Sequence, residues 1–385
     1  MIRQGESVEE KKGSRMSIFR SGKKGILSEG YLWILMAGLF YALGLVTRTN
    51  SAILEKIYPA SWNRSLIRLL SRITGVLPVS LGELFLYANV VAGIVLLFFL
   101  VKKIFTGGFF GLAYRIASYV ALLYIVFMLV FGLNYNRASI REHLSLSRVN
   151  YGQEELYAMN EALITRANDL RERVDEDAEG VFTLTESKNE IFELAIEGYD
   201  EFSQAFPVFR GEYGIAKGIM ASEPLNYTGI TGIFMPFTGE ANVNVKGPDL
   251  LFPATVLHEM AHQRGIAYED EANYMAFLVS SYHEYEPIQY SGTMLALINS
   301  MNALYRENKE SYRALYDTYS EGVKRDLKAY SVFYDAYEGE VNERATKVND
   351  SYLKSNGQVS GVKSYGDMVN LLLEHFVQKG EIVFR

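Results

Sequence analysis

The chain has 385 residues, of which 49% are hydrophobic and 22% charged, and its formal net charge is -7. This length has room for a membrane anchor and one further domain. The acidic balance, with no long basic run after residue 150, excludes a nucleic-acid partner. Because there is no cysteine, disulfides and thiolate metal sites are excluded, and any metal must be bound by histidine and carboxylate side chains.

Apolar residues crowd into the first third of the chain. Residues 1–30 are polar and basic, without apolar periodicity, and they predict a disordered cytoplasmic tail. Three uncharged apolar runs follow, at about residues 31–47, 84–101 and 116–134. Any one of them could be a buried core helix, but three such runs so close together favour spanning helices. We therefore predict a transmembrane anchor of three helices over residues 31–134, embedded in the lipid bilayer.

The distribution of lysine and arginine indicates which side of the membrane the rest of the chain occupies. Seven cations precede the first run, and Lys102, Lys103 and Arg115 lie between the second and the third, as expected if these parts are cytoplasmic. The five cations between residues 48 and 72 oppose this orientation. Three of them recur every four residues among Leu and Ile, which is typical of an amphipathic helix at the membrane surface, near residues 62–77. We predict an extracytoplasmic location for everything after about residue 135.

Residues 135–385 have the texture of one further domain. Apolar residues recur at helical spacing in residues 153–175 and 186–205, whereas residues 230–237 (ITGIFMPF) mix β-branched and aromatic types and predict a strand or hairpin. Helical patterning resumes at Pro253 and is predicted to break near Gly265, Gly292 and residues 356–366. The predicted fold class is mainly α with a small β element.

The segment from Pro253 to Tyr268 (PATVLHEMAHQRGIAY) carries the clearest chemical signal. Proline suits a first helical turn, and Gly265 can supply a left-handed cap at the end. On that helix His258 and His262 are four residues apart and share one face, so their imidazoles can bind one metal ion. Glu259 then lies where it can reach a water molecule activated by that metal. The alternative is that both histidines are ordinary helix residues.

A third metal ligand is expected after the helix ends, because a catalytic zinc site takes three protein ligands. Glu269 is the first candidate and Glu271 the second, since both begin the next predicted helix. Asn273 lies one turn after Glu269 and could orient a ligand histidine. These acids could instead merely favour the positive end of a helix dipole.

These residues resemble known families. HEMAH followed by EDEAN is similar to the gluzincin metallopeptidases, and the resemblance implies a zincin-like α+β domain with Glu269 on zinc and Asn273 behind it. Gly265 resembles the metzincin pattern, but Tyr268 stands where a metzincin has its third ligand. The whole arrangement, with GEANVN, HEMAHQRG and EDEANY after three spans, resembles a bacterial membrane family catalogued as domain of unknown function 3810. A bacterial cell membrane is the location that this resemblance implies.

The sequence supplies further candidates for the surroundings of the site. By analogy with zincin folds, residues 232–244 predict an edge strand that pairs with an extended peptide, with Glu240, Asn242 and Asn244 either along that edge or in polar turns. A tetrahedral oxyanion needs a second donor, and the sequence cannot rank its candidates. They are Tyr268, Arg264, Tyr352, Tyr365 and His375. His283 is predicted to be a packing residue.

Three functions are compatible with these patterns. The first is a membrane-anchored zinc metallopeptidase that hydrolyses peptides or proteins near the membrane, with Glu259 as the general base. The second is a catalytically silent zinc-binding sensor or scaffold. The third is a structural membrane protein with a fortuitous motif. An intact glutamate beside the two histidines favours the first, because a silent site needs no base.

Overall fold

The computed structural model describes residues 30–382, except for the side chain of Tyr365. The predicted basic tail therefore lies outside the described residues, apart from Gly30. The first part of the described chain forms helices α1 (Gly30–Thr47), α2 (Ser51–Ile57), α3 (Ala60–Gly75), α4 (Leu81–Thr106) and α5 (Phe109–Val130). By length and composition α1, α4 and α5 can cross a membrane. These three helices correspond to the three predicted spans and indicate membrane association.

The third span differs from the predicted run 116–134 at both ends. Helix α5 begins at Phe109 and stops at Val130, and a 3₁₀ turn follows over Gly132–Asn136. The backbone leaves the helix at Phe131 (φ -134°), and the Asn134 amide donates to Asn63 Oδ1 at 3.0 Å. Composition alone extends the run because residues 131–134 are uncharged. The tertiary contact with α3 ends the span earlier.

Helix α3 corresponds to the amphipathic segment predicted near residues 62–77. One face packs on α5, on the later helix Phe252–Gln263 and on the strand Glu240–Val243, and it buries Ile67 completely. The opposite face exposes Trp62, Leu69 and Ile73, each by more than half of its surface. Such a second apolar face is typical of a helix that also contacts lipid.

The remaining described chain forms eleven helices around a small sheet. The helices are α6 (Ile140–His143), α7 (Gln153–Arg171), α8 (Lys188–Ala205), α9 (Ser222–Asn226), α10 (Phe252–Gln263), α11 (Glu269–Tyr282), α12 (Glu286–Glu307), α13 (Lys309–Tyr316), α14 (Glu321–Asp335), α15 (Glu340–Ser355) and α16 (Met368–Lys379). The strands are β1 (Lys217–Gly218), β2 (Gly232–Met235) and β3 (Glu240–Val243). The mainly helical architecture with a small β element confirms that part of the predicted fold class.

Helices α10 and α11 lie at the centre of the main hydrophobic core. Helix α10 packs against α8, α11, α12 and the two strands β2 and β3, while α11 also contacts α16. Large buried side chains such as Tyr274, Phe277 and Tyr290 fill the space between them. Residues on α10 and α11 are therefore held rigidly by packing on several sides.

The predicted helix break near Gly292 is wrong, because α12 runs unbroken through this residue. The absence of a side chain serves close packing instead: a Cβ at Gly292 would lie 1.7 Å from Ser280 Oγ on α11. The actual break falls between Tyr282 and Glu286. Gly292 therefore marks a close approach of α12 to α11, which is possible because glycine has no Cβ.

The sheet has the order β1–β3–β2, with β1 parallel and β2 antiparallel to β3. The hairpin β2–β3 confirms the strand or hairpin predicted at residues 230–237. Because β3 is central, β2 is an edge strand of this sheet. The Asn244 amide donates to the Thr231 carbonyl, and the Val243 carbonyl accepts from Ile219 on the β1 side. Antiparallel alternation therefore directs the backbone groups of Gly232 and Phe234 away from β3.

Candidate metal and catalytic site

The two histidines of the motif lie on one face of α10, as their spacing predicts. Helix α10 has Pro253 in its first turn and ends before Gly265. The φ of Gly265 is +88°, in the left-handed region that favours glycine. The Nε2 atoms of His258 and His262 are 3.2 Å apart. Both side chains are buried, with 7% and 4% of their surface exposed.

The first turn of α11 brings Glu269 to these histidines. Its Oε2 lies 3.1 Å from His258 Nε2 and 3.6 Å from His262 Nε2. One ligand atom from each of the three residues lies within 4.8 Å of the other two. The tight packing of α10 on α11 fixes this convergence. The three side chains form the cluster that we call the His–His–Glu triad.

The other nitrogen of each histidine is engaged, which determines what the Nε2 atoms offer. His262 Nδ1 is 2.7 Å from the carbonyl oxygen of Ile266, which can only accept, so Nδ1 carries the proton. His258 Nδ1 is 2.8 Å from Asn273 Oδ1 and donates to it in the same way. When both imidazoles are neutral, their Nε2 lone pairs point toward each other and toward the Glu269 carboxylate. This donor set suits a divalent cation such as zinc.

The electrostatics of the triad favour a bound positive charge. Burial by itself lowers the pKa of His262, but the carboxylate of Glu269 outweighs burial and raises that pKa to about 9. Burial also raises the pKa of Glu269, and the two histidines more than offset it, so the pKa lies well below the usual range. Glu269 is therefore ionised at neutral pH and attracts either a proton or a metal ion to the histidines.

Glu259 lies beside the triad and against the edge strand β2. The backbone of Phe234 donates to its carboxylate, and Glu259 Oε2 has no hydrogen-bond partner among the described residues. Burial raises the pKa of Glu259 to about 7, and the neighbouring histidines partly counteract this. A carboxyl with a pKa close to neutrality is suited to accept and release a proton.

Gly232 leaves the space that the Glu259 carboxylate occupies. A Cβ built at Gly232 would lie 2.4 Å from Glu259 Oε1, closer than any side chain allows. Gly232 is not among the predicted site residues. Glycine in a strand often marks a close approach of this kind, but the sequence does not say what approaches.

The end of the third span forms another wall of the site. The ring of Phe131 lies 5.5 Å from the ring of His262 and 5.5 Å from that of Phe234. The Tyr268 hydroxyl donates to the Tyr135 carbonyl at 2.9 Å. No local sequence signal could have revealed these contacts, because the partners are about 130 residues apart. The chain that leaves the membrane helix is thus part of the site's surroundings.

The chain matches the family model described as "Protein of unknown function (DUF3810)" over residues 58–373, well over half of its length. The chain belongs to this family. The matched region of this DUF3810 member contains α3 through the first half of α16, and so the triad, Glu259 and β2. No curated protein and no solved structure matches the chain. The family description names no activity, and the resemblance to gluzincins stays a prediction.

Glu271, the second candidate for the third ligand, points elsewhere. Its Oε1 accepts from the Ser139 hydroxyl at 2.6 Å and from the Ile140 amide at 3.2 Å, at the start of α6. It therefore connects α11 to the segment that follows the membrane helix. The structure brings Glu269, and not Glu271, to the histidines.

The predicted polar edge residues are buried: Glu240 and Asn242 lie on the central strand β3, and Asn244 follows its last residue. Glu240 accepts from the amide of Gly82 at 2.6 Å and forms an ion pair with Lys217. The Asn244 side chain donates to Asn226 Oδ1 at 2.7 Å. Their roles are structural, and the exposed edge belongs to β2. The residue pattern of a hairpin does not show which of its two strands pairs with a third strand.

The candidate oxyanion donors fall into different surroundings. Tyr268 donates to a backbone carbonyl, the guanidinium of Arg264 stacks on Tyr199, and His375 pairs with the Tyr274 hydroxyl. Tyr352 hydrogen-bonds with Tyr135 and interacts electrostatically with Glu269 of the triad. The side chain of Tyr365 is not among those that the structure describes. His283 contacts the Leu194 carbonyl at 2.9 Å, as expected of a packing residue.

Proposed function

We propose that this protein is a membrane-anchored zinc metallopeptidase that hydrolyses peptide bonds near the membrane. The observation that carries the proposal is the pairing of the His–His–Glu triad with Glu259, whose second carboxylate oxygen has no partner among the described residues. His258, His262 and Glu269 would hold the zinc ion. With the orientation predicted from its cations, the catalytic domain is extracytoplasmic.

A bound zinc ion would supply Lewis-acid activation of water and of the scissile carbonyl. Glu259 then takes a proton from the attacking water and delivers it to the leaving amine, for which a pKa near neutrality is suitable. The Asn273 side chain holds the ring of His258 in orientation, and the Ile266 carbonyl does the same for His262. Tyr352 is our candidate for the second oxyanion donor.

An extended peptide would bind along β2. The outward backbone groups of Gly232 and the outward carbonyl of Phe234 can form hydrogen bonds with a substrate strand, as in other cases of strand addition, whereas the Phe234 amide donates to Glu259. Glu259 contacts the same two residues of the strand. A scissile bond paired with β2 would therefore lie next to the base.

The test uses the full chain purified in detergent. Metal analysis is expected to find about one zinc per chain. Glu259→Gln should retain that zinc and lower cleavage of a proteome-derived peptide library by about 100-fold to 10,000-fold, the usual contribution of a general base. Glu193→Gln, an exposed glutamate on α8, is the matched control and should cleave like the wild type.

Each result distinguishes among the candidate functions. Zinc without cleavage in the wild type would favour the silent sensor or scaffold. Absence of stoichiometric zinc would favour a structural membrane protein. Equal cleavage by the wild type and Glu259→Gln would contradict the assigned base.

A further inference from the structure

A second cavity, of about 370 Å³, lies behind the end of α10 and away from Glu259. Its wall combines the start of α3 (Ala60 and Ser61), the segment after the third span (Asn134 and Arg137) and the turn from Arg264 to Tyr268. Arg64, His143, Glu55 and Glu271 complete its charged and ionisable lining. We call this cavity the arginine pocket. Its volume lies at the lower end of the range for small-molecule sites.

Two of its arginines have no carboxylate partner among residues 30–382. Arg137 is neutralised by an ion pair with Glu55, and Glu271 accepts from Ser139 and Ile140. Arg64 and Arg264, in contrast, form no ion pair within the described chain. The acids of the pocket therefore form no ion pair with these two cations, although Glu55 attracts Arg64 electrostatically.

Arg264 is the more unusual of the two arginines, because only 3% of its surface is exposed. Its guanidinium stacks on Tyr199 at 3.5 Å from the ring centre, and Nη1 donates to the Met260 carbonyl. Its Nε has no hydrogen-bond partner within the described residues. A buried cation without a counter-charge is costly, which is a reason to expect an anionic ligand.

The start of α3 adds favourable electrostatics to the pocket. This helix has 16 residues, and the positive end of its dipole lies at Ala60 and Ser61 on the pocket wall. The carboxylate of Glu55 caps this end, because its Oε2 accepts from the Ala60 amide at 2.9 Å. The three arginines of the pocket lining outnumber its two carboxylates, Glu55 and Glu271, which favours a further anion such as a phosphate group.

The pocket lies at the level where two candidate spans end. Asn136, next to Arg137, donates to the Gly44 carbonyl and to Thr47 Oγ1 in the last turn of α1. Ile57 and Trp62, on either side of the start of α3, are exposed by 55% and 63%. Exposed apolar side chains at this position can contact acyl chains while a headgroup enters the pocket.

We propose that the arginine pocket binds the phosphate group of an anionic phospholipid whose headgroup lies at this membrane boundary. The cavity accommodates a headgroup, and the acyl chains remain outside along Ile57 and Trp62. Arg64 and Arg264 supply the positive charge. This proposal does not depend on the peptidase activity.

The test compares ligands on the full chain, delipidated in maltoside micelles. Phosphatidylglycerol near saturation is expected to raise the thermal midpoint by about 5 °C, because a ligand that binds only the folded state stabilises it. Phosphatidylcholine and inorganic phosphate serve as the other two ligands. Both are expected to leave the midpoint within about 1 °C of its starting value.

Matched arginine variants on one helix test the site itself. Arg64→Gln should weaken the apparent affinity for phosphatidylglycerol by about tenfold, the effect of losing a charged hydrogen bond. Arg72→Gln, two turns along α3, exposed and paired with Glu212, should remain close to the wild type. The midpoint of each variant without lipid checks that it folds.

Three results would overturn the proposal. One is equal stabilisation by phosphatidylcholine. Another is an equal loss of affinity in both variants, which indicates attraction to the surface as a whole. The third is a stabilisation by inorganic phosphate that matches phosphatidylglycerol and depends on Arg64, because the ligand is then free phosphate.

Discussion

Two buried charged clusters of this protein differ in how completely their polar atoms are satisfied. Asp326 accepts from Arg171, from the Tyr290 hydroxyl and from the Phe182 amide, through bonds of 2.6–2.8 Å for its three closest contacts. In the candidate site, two histidine nitrogens face each other at 3.2 Å, and Glu259 Oε2 has no described partner. The first arrangement is complete in itself. The second is incomplete among the described residues, as the proposed metal site predicts.

The difference is a criterion for proposing a functional site as opposed to a structural ion pair. A buried carboxylate stabilises a fold only when its lone pairs are used, as those of Asp326 are. In the proposed function, the donor atoms of the triad would bind the zinc ion. Single substitutions can disrupt one cluster and leave the other intact. Others can change the position of Glu259 or of a triad histidine.

The largest effect is expected from His262→Ala. Removing one of three ligands should reduce the zinc content of the purified full chain from about one equivalent to a trace, as measured by elemental analysis. His283→Ala removes a buried histidine outside the triad and should keep the metal. Retention of zinc by His262→Ala would indicate that the metal is bound elsewhere.

Asp326→Asn should break the complete cluster. The substitution leaves the buried Arg171 without its counter-charge, and we expect the free energy of unfolding to fall by about 3–5 kcal/mol, as measured by thermal or chemical unfolding in detergent. Zinc content should be unchanged below the unfolding transition. Glu321→Gln, in an exposed pair with Lys324, should change stability by less than about 0.5 kcal/mol. A loss of zinc in folded Asp326→Asn would contradict the independence of the two clusters.

Gly232→Ala should disturb the base without disturbing the metal. The added Cβ would lie 2.4 Å from Glu259 Oε1, so the carboxylate must move, and a misplacement of this order is expected to lower kcat/KM by about 100-fold. Gly218→Ala is the control on the opposite edge of the sheet, where the added atom meets Val245. Normal cleavage by Gly232→Ala would mean that the position of Glu259 is not critical.

The smallest effect is expected from Asn273→Ala. Loss of the contact to His258 Nδ1 should weaken zinc affinity by about 10-fold to 100-fold, measured by competition with a chelator. Asn299→Ala removes an amide that bonds only within α12 and should leave the affinity unchanged. An unchanged affinity in Asn273→Ala would assign the orientation of His258 to other contacts.

Local patterns in the sequence predicted a substantial part of this molecule. The apolar runs gave the three candidate spans, because a spanning helix needs a minimum length of uncharged residues. The spacing of His258 and His262 placed both on one face of a helix, and Gly265 ended that helix, because helical periodicity and left-handed backbone are local properties. The strand or hairpin at residues 230–237 was predicted for the same reason, and the hairpin β2–β3 begins there.

Tertiary packing decided what the sequence left open. Glu269 and Glu271 begin the same helix, and only the packing of α11 on α10 turns the first toward the histidines and the second toward Ser139. The crowding of Gly232 against Glu259 and the contact of Phe131 with His262 join residues far apart in the chain. The arginine pocket likewise gathers three separate segments. Periodicity and spacing report on neighbours along the chain, whereas these features depend on which distant surfaces meet.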